Sequence, residues 1–298
     1  MTDPQPTETS PAAWKPRDQD LDFFGLTHVG LVRKENQDHF LFSTLHKTMR
    51  VGGTSLPNPE LLELPSQRLA SFAMVADGVG GHAGGEVASR AAVETITRYA
   101  TDTMRCVLNA DTADEAAFFA ALEDGAATTH QAVVTRSLET GGDGGSATTL
   151  TAVMTVWPNC YLLHVGDSRC YRLREGRLEQ LTRDQTMAQE LVDSGVIPAE
   201  KAPHTRFAHV LSSTMGGRHS RPVVTKHRVQ PGDVTLLCSD GLTKHVSDER
   251  IAERLRALTS SEQACQALVA DALAGGGSDN VTVVVLRAIR PEGIPPIL

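Results

Sequence analysis

Short apolar runs that end in Gly or Asp recur along the chain, and this pattern predicts β-strands. Residues 171–181 show the further pattern of two short strands around a Glu-Gly turn. The predicted strands cover residues 23–31, 38–43, 71–78, 147–156, 160–173, 233–241 and 280–287.

Four other segments repeat apolar residues every three or four positions, as an amphipathic helix does. Strands come in groups, with pairs of helices between and after them, rather than in strict alternation with single helices. This order favours an α+β fold in which helices cover antiparallel sheets. The apolar stripes are Ala88-Ala92-Ile96-Tyr99, Phe118-Leu122-Ala126-Val133, Ile251-Leu255-Leu258 and Cys265-Leu268-Val269-Ala272.

No shift in composition marks an internal linker, so we expect one large domain over residues 20–290. Residues 1–19 are rich in Pro, Thr and charge, and they are predicted to form a disordered tail. Residues 291–298 are predicted to form an irregular C-terminal tail. Within the domain, residues 51–68 are interpreted as a loop insertion, and residues 185–220 as a surface flap.

The chain is acidic, with a net charge of −8 from 28 basic and 36 acidic residues and no long basic run. This balance argues against nucleic acid or an anionic membrane as the main partner. The five cysteines are odd in number and none is spaced like a zinc site, so reduced thiols are expected. The chain shows neither a signal-peptide pattern nor a run of about 18 apolar residues, and a cytoplasmic location is expected.

Four aspartates share one setting, at or just beyond an apolar strand. Asp77 and Asp240 end strands and are followed by Gly, whereas Asp38 and Asp279 precede strands. Carboxylates that converged there would repel each other unless cations neutralised them. An all-oxygen set without His or Cys favours Mg²⁺ or Mn²⁺ over Zn²⁺. A lone Asp-Gly is ordinarily a turn signal, so the argument depends on the fourfold recurrence.

Seven segments, in order over roughly residues 22–287, resemble the type 2C metal-dependent Ser/Thr protein phosphatases in their bacterial form. The resemblance implies an α-β-β-α sandwich of two antiparallel sheets flanked by helix pairs, with metals at one end. The segments are RKENQD (33–38), VADGVGGHAGGEVAS (75–89), ATTLTAV (147–153), HVGDSRCYRL (164–173), LTRDQT (181–186), LLCSDGLTKHVSDE (236–249) and SDNVTVVVL (278–286).

The resemblance also implies a set of metal ligands for two Mn²⁺ or Mg²⁺ ions. Asp77 would bridge the two ions, and the Gly78 carbonyl would bind one of them. Asp240 and Asp279 would hold the other ion. Asp38 would act near the first ion, largely through water.

The implied reaction is direct hydrolysis of phosphoserine and phosphothreonine in proteins, by a water that bridges the two ions. Arg33 would clamp the substrate phosphate, and Asn280 would support the neighbouring ligand. Phosphorylated proteins and a cognate bacterial-type Ser/Thr kinase are the implied partners, in a signalling role. Two alternatives remain open: a catalytically silent scaffold that binds phosphoproteins, and a phosphohydrolase of the same fold that acts on small metabolites.

Several positions depart from the family pattern. A third metal, common in bacterial members, would need an Asp before the ATT segment, and Asp143 is the candidate, although it lies about one residue further upstream than expected. Lys244 stands where the family often has Asp, and Gln185 where His is frequent. His82 is expected to have a loop or packing role rather than an acid role. Asp167 is interpreted as structural and is left out of the ligand set.

Overall fold

The computed structural model describes residues 15–49, 51, 64–80, 84–102, 115–139 and 145–289, which form eleven strands and six α-helices. The strands are β1 (Leu21–His28), β2 (Asp38–Met49), β3 (Leu64–Val79), β4 (Ala147–Thr148), β5 (Leu150–Val156), β6 (Asn159–Val165), β7 (Arg169–Arg174), β8 (Arg177–Gln180), β9 (Val223–Arg228), β10 (Val234–Cys238) and β11 (Val281–Ala288). The helices are α1 (Gly84–Asp102), α2 (Glu115–Glu139), α3 (Met187–Asp193), α4 (Asp240–Thr243), α5 (Asp248–Arg256) and α6 (Ser261–Ala274).

The strands form two antiparallel sheets. The first has the order β1-β11-β10-β7-β8, and the second has the order β2-β3-β5-β6-β9, with β4 paired to β3. Helices α1 and α2 pack on the second sheet, and α5 and α6 pack on the first. The predicted α+β sandwich of two antiparallel sheets is therefore confirmed.

Both faces of the central strands are apolar, because each sheet packs against helices on one side and against the other sheet on the opposite side. Successive side chains of a strand face opposite ways. Met74 of β3 lies in the core with α1 and α2, whereas its neighbour Val75 lies between the sheets. Leu236 and Leu237 of β10 divide in the same way. This double burial explains why the strands read as nearly continuous apolar runs.

Two strand predictions need correction. The run predicted over 160–173 is two strands, β6 and β7, which lie in different sheets and are separated at Gly166, where φ is 107°. Strand β9 was not predicted, because it is an edge strand with a polar, half-exposed sequence and lacks the apolar signal. The predicted Glu-Gly turn between β7 and β8 is confirmed, with φ of 51° at Glu175 and 76° at Gly176.

The loop and tail predictions also change at their edges. Residues 64–68, placed in the predicted 51–68 insertion, belong to β3, while residues 52–63 lie outside the described residues. Residues 15–19, placed in the predicted tail, contact the domain, since Lys15 Nζ donates to the Arg68 carbonyl at 2.8 Å. The Arg68 guanidinium in turn pairs with Asp18 at 2.5 Å. Residues 1–14 and 290–298 lie outside the described residues.

The segment interpreted as a flap contains α3 and a 3-10 helix at Ala199–His204. Thr186 caps α3 by accepting a hydrogen bond from the Gln189 amide, and it forms an isolated bridge with Leu211. The Gln185 amide donates to the Gly166 carbonyl at 2.8 Å, which ties the segment to the end of β6. Among the described helices, none is long and apolar enough to cross a membrane.

Candidate metal centre

The four strand-end aspartates lie at one end of the sandwich. Asp38 opens β2 and stands directly opposite Asp77 in the β2–β3 register. Asp240 follows β10 and Asp279 precedes β11, and these two strands are antiparallel neighbours. The end of β10 and the start of β11 therefore lie at the same end of the sheet.

Asp38 is buried and joins the two sheets. Its Oδ2 accepts hydrogen bonds from the hydroxyls of Ser239 and Thr282, each at 2.7 Å; Thr282 lies in β11 of the other sheet, and Ser239 directly follows β10. Burial, together with the charges of Asp240 and Asp279, raises the pKa of Asp38 to about 6 despite these two hydrogen bonds. Its Oδ1 is buried and has no hydrogen-bond partner within the described residues.

Asp77 has a pKa well above the ordinary value, because of its burial first and then the charges of Asp38 and Asp240. The ATT segment fixes its backbone: its amide donates to Thr149 Oγ1 at 3.0 Å, and its carbonyl accepts from the Thr148 hydroxyl at 2.9 Å. The next residue must be Gly78, because a Cβ there would overlap the Gly85 carbonyl.

Asp240 and Asp279 share a lysine between them. Lys244 Nζ lies 2.6 Å from Asp240 Oδ2 and 2.7 Å from Asp279 Oδ2. Arg33 adds a second cation, with Nε 2.7 Å from Asp279 Oδ1 and Nη2 3.0 Å from Oδ2. Burial opposes ionisation of Asp279, but the hydrogen bonds from Lys244 and Arg33 outweigh it and lower the pKa.

Asn280 fastens the loop that carries Arg33. Its Oδ1 accepts from the Gln37 amide at 2.9 Å, and its Nδ2 donates to the carbonyls of Val29 and Glu35, each at 2.9 Å. The side chain therefore spans both ends of the loop between β1 and β2. The supporting position expected for Asn280 is compatible with this contact set.

Asp167 also lies at this end of the sandwich, although the sequence analysis left it out of the set. It is buried just beyond β6, and burial raises its pKa to about 8, with Asp240 and Asp184 contributing. Asp167 and Lys244 line an open cleft of about 1080 Å³ between the aspartates and the flap segment. Asp167 lay inside the single strand predicted over 160–173, so the strand-end rule did not select it; the division into β6 and β7 at Gly166 places it just beyond the end of a strand.

The donor set fits a hard divalent cation. Asp38 Oδ1 and Asp240 Oδ1 are buried oxygens that lack hydrogen-bond partners in the described part of the chain. Among the described residues, no group of three or more His, Cys, Asp or Glu side chains is arranged so that it could hold a metal ion. Carboxylate oxygens are ligands that Mg²⁺ and Mn²⁺ prefer, commonly one or two per ion with waters retained. Asp143 and His82 lie outside the described residues, so the expected third site stays a prediction.

Comparisons with known proteins agree with this arrangement. Residues 63–275 match the family model described as Protein phosphatase 2C. The serine/threonine protein phosphatase PstP of Mycobacterium tuberculosis is 38% identical over 221 residues, which are 74% of this chain and 41% of that protein. The serine/threonine phosphatase stp of Listeria monocytogenes is 31% identical over 72% of this chain and 83% of its own length.

A crystal structure of the catalytic domain of PstP in complex with two manganese ions superposes with a TM-score of 0.68 at 32% identity, covering 91% of this chain and 99% of that one. The chain belongs to the protein phosphatase 2C family. It spans only about two fifths of the length of the curated PstP relative, at 41%.

Replacing Asp38 with Asn should stabilise the metal-free protein at alkaline pH. Because the folded pKa of about 6 lies above the ordinary value, the contribution of Asp38 to stability is full below that ordinary value and is lost as pH rises through 6. Asp38→Asn should therefore raise the free energy of unfolding in EDTA by roughly 2–3 kcal/mol at pH 8, and the gain should shrink towards pH 4. Urea titrations across this pH range measure it.

The matched control is Asp102→Asn, an exposed carboxylate at the end of α1, which should show no such pH dependence. A gain that is equal at pH 4 and pH 8 in Asp38→Asn would contradict the assigned pKa direction.

Asn280→Ala should loosen the Arg33 loop. The change removes the hydrogen bond from the Gln37 backbone amide and the two to the carbonyls of Val29 and Glu35, each part-buried and contributing about 0.5–1.5 kcal/mol. Hydrogen exchange should become faster at the Gln37 amide while the β10 and β11 amides keep their protection. Unchanged exchange at Gln37 would show that Asn280 does not hold the loop.

Proposed function

We propose that this chain is a metal-dependent phosphatase that hydrolyses phosphoserine and phosphothreonine in proteins. The observation that carries the proposal is the convergence of Asp38, Asp77, Asp240 and Asp279, whose negative charges repel one another. Arg33 lies beside this cluster, and Asp240 lines an open cleft. Such a cluster calls for cations, and cations beside an arginine suit a phosphoryl group. Membership of the protein phosphatase 2C family supports the same reaction.

Mg²⁺ or Mn²⁺ is the proposed cofactor, with two ions per site. The PstP catalytic domain, a relative by structure, is described in complex with two manganese ions. Here Asp77, the Gly78 carbonyl, Asp240 and Asp279 would hold the ions, with Asp38 near the first of them. When bound, the ions would supply an activated water and would offset charge on the phosphoryl group.

Arg33 is the proposed phosphate clamp. More than half of its side chain is exposed, at 55%, so it faces solvent at the mouth of the centre. A guanidinium has five N–H donors in a planar fork that matches phosphate oxygens. Asp279 orients this fork through two contacts, and Asn280 holds the loop on which Arg33 stands. The arginine is thereby oriented before a substrate arrives.

Asp38 keeps its position through hydroxyl groups rather than through a cation. Ser239 and Thr282 donate to Oδ2, which leaves Oδ1 as the oxygen free to bind a water or an ion. Because these donors come from the opposite sheet, the packing of the two sheets fixes the carboxylate. The cleft that Asp240 lines is open to solvent, which suits a seryl or threonyl phosphate carried on another protein.

The wider biological setting belongs to the same proposal. A cognate Ser/Thr kinase would produce the substrates, and the phosphatase would oppose it in signalling. The four cysteines among the described residues are buried free thiols, which suits a reducing compartment such as the cytoplasm. We also propose that residues 185–220 act as a flap over the cleft, which Ala199, Ala202 and His209 of this segment line.

The proposal predicts metal-dependent release of phosphate from a phosphothreonine peptide. The purified protein should release phosphate with Mn²⁺ or Mg²⁺ and should stop in EDTA. Asp240→Asn should lower kcat/KM by roughly 100-fold, because it removes a metal-holding charge. Asp102→Asn, the exposed carboxylate on α1, should keep full activity.

Two outcomes would contradict the proposal. A folded protein that releases no phosphate with any metal, yet binds the phosphopeptide, would be the silent scaffold. Release from a panel of small phosphorylated metabolites, but not from the peptide, would indicate a small-molecule phosphohydrolase of the same fold.

A further inference from the structure

Lys244 lies in an unexpected place for a residue of a metal centre. It directly follows the single turn of α4, and its amide donates to the Asp240 carbonyl at 2.8 Å. The two side chains are therefore neighbours on one helical face. Lys244 Nζ reaches Asp240 Oδ2 at 2.6 Å and Asp279 Oδ2 at 2.7 Å, so the ammonium lies between two predicted ligands of one ion.

The oxygens of Asp279 are already occupied by donors from the chain. Its Oδ1 accepts from Arg33 Nε at 2.7 Å and from the backbone amide of Asn280 at 3.0 Å. Its Oδ2 accepts from Arg33 Nη2 at 3.0 Å and from Lys244 Nζ at 2.7 Å. Asp240 differs, because Lys244 takes Oδ2 while Oδ1 has no partner among the described residues.

A divalent ion and the ammonium group cannot share this position. Mg²⁺ approaches its oxygen ligands to about 2.0–2.1 Å. An ion held by the Oδ2 atoms of Asp240 and Asp279 would thus lie close to the present position of Lys244 Nζ, and the two cations would repel each other strongly at such short range. Lys244 must leave these two oxygens before they can hold an ion together.

We propose that Lys244 is a built-in cation that competes with a divalent ion for Asp240 and Asp279, and so weakens metal binding at this one position. The inference rests on the proposed function only in that the centre binds Mn²⁺ or Mg²⁺. In the metal-free protein the ammonium offsets the repulsion between the two carboxylates. On metal binding the same charge becomes a cost, which lowers the affinity for that ion.

The surroundings allow the exchange. Lys244 has a flexible stem, and it lines the cleft together with Asp167 and Asp184. Asp184 is already paired with Arg169, so the displaced ammonium would turn towards Asp167 and the solvent of the open cleft. Arg33 does not lie between the two aspartates as Lys244 does. It contacts Asp279 through Nε and Nη2, and its side chain approaches from the solvent side.

The test is Mn²⁺ binding to the full chain, measured by isothermal titration calorimetry without substrate. Lys244→Ala should bind the more weakly held Mn²⁺ ion, the one at Asp240 and Asp279, about tenfold more tightly than the wild type does. Lys244→Arg retains the charge and should stay close to the wild type. The control is Lys226→Ala, which removes a lysine that pairs with Glu115 of α2. The affinity of this variant for Mn²⁺ should equal that of the wild type. Lys244→Gln serves as a second neutral variant, and circular dichroism verifies folding.

Each outcome decides a separate point. Equal or weaker Mn²⁺ binding by folded Lys244→Ala and Lys244→Gln, in a series whose wild type binds the ion, overturns the competition but leaves the proposed function standing. Binding by the neutral variants without binding by the wild type supports the competition and contradicts a metal-dependent wild-type enzyme. Absence of binding in every variant overturns both.

Discussion

Repulsion between carboxylates held close together at one end of the sandwich is the constraint on which the rest of this structure depends. Asp38 and Asp77 face each other across β2 and β3, and burial raises the pKa of both. A packed core normally avoids such an arrangement, because a buried charge without a counter-charge is costly. Hydroxyl groups donate to Asp38, and the cations Lys244 and Arg33 pair with Asp240 and Asp279.

The architecture supplies the rigidity that this arrangement needs. Asp77, Asp240 and Asp279 stand at the ends of β3, β10 and β11, whose central side chains are buried on both faces, so the backbone there has little freedom. The hydroxyls that donate to Asp38 come from the side of the opposite sheet, so the geometry of the centre depends on how the two sheets pack. A centre of this kind is expected to weaken the fold locally in exchange for its ability to bind cations.

The sequence predicted the layered α+β fold well, because short apolar runs and helical apolar spacing are local signals. The strand-end setting of the aspartates was also visible in the sequence, but their place at one end of the sandwich was implied only by the family resemblance; in the structure, β10 and β11 are antiparallel neighbours. It missed β9, whose polar edge carries no apolar signal. It also missed the position of Lys244, since the contact with Asp279 joins segments 35 residues apart and depends on how α4 turns. The roles expected for the site residues toward metal and phosphate stay predictions.

The most direct measurement is thermal unfolding of the wild type and of Asp77→Asn, with and without Mn²⁺. If divalent cations offset the carboxylate repulsion, Mn²⁺ should raise the unfolding midpoint of the wild type, because a ligand that binds only the folded state stabilises it. The shift should be much smaller in Asp77→Asn, which lacks the central charge. An unchanged midpoint in the wild type, or an equal shift in the variant, would contradict the account.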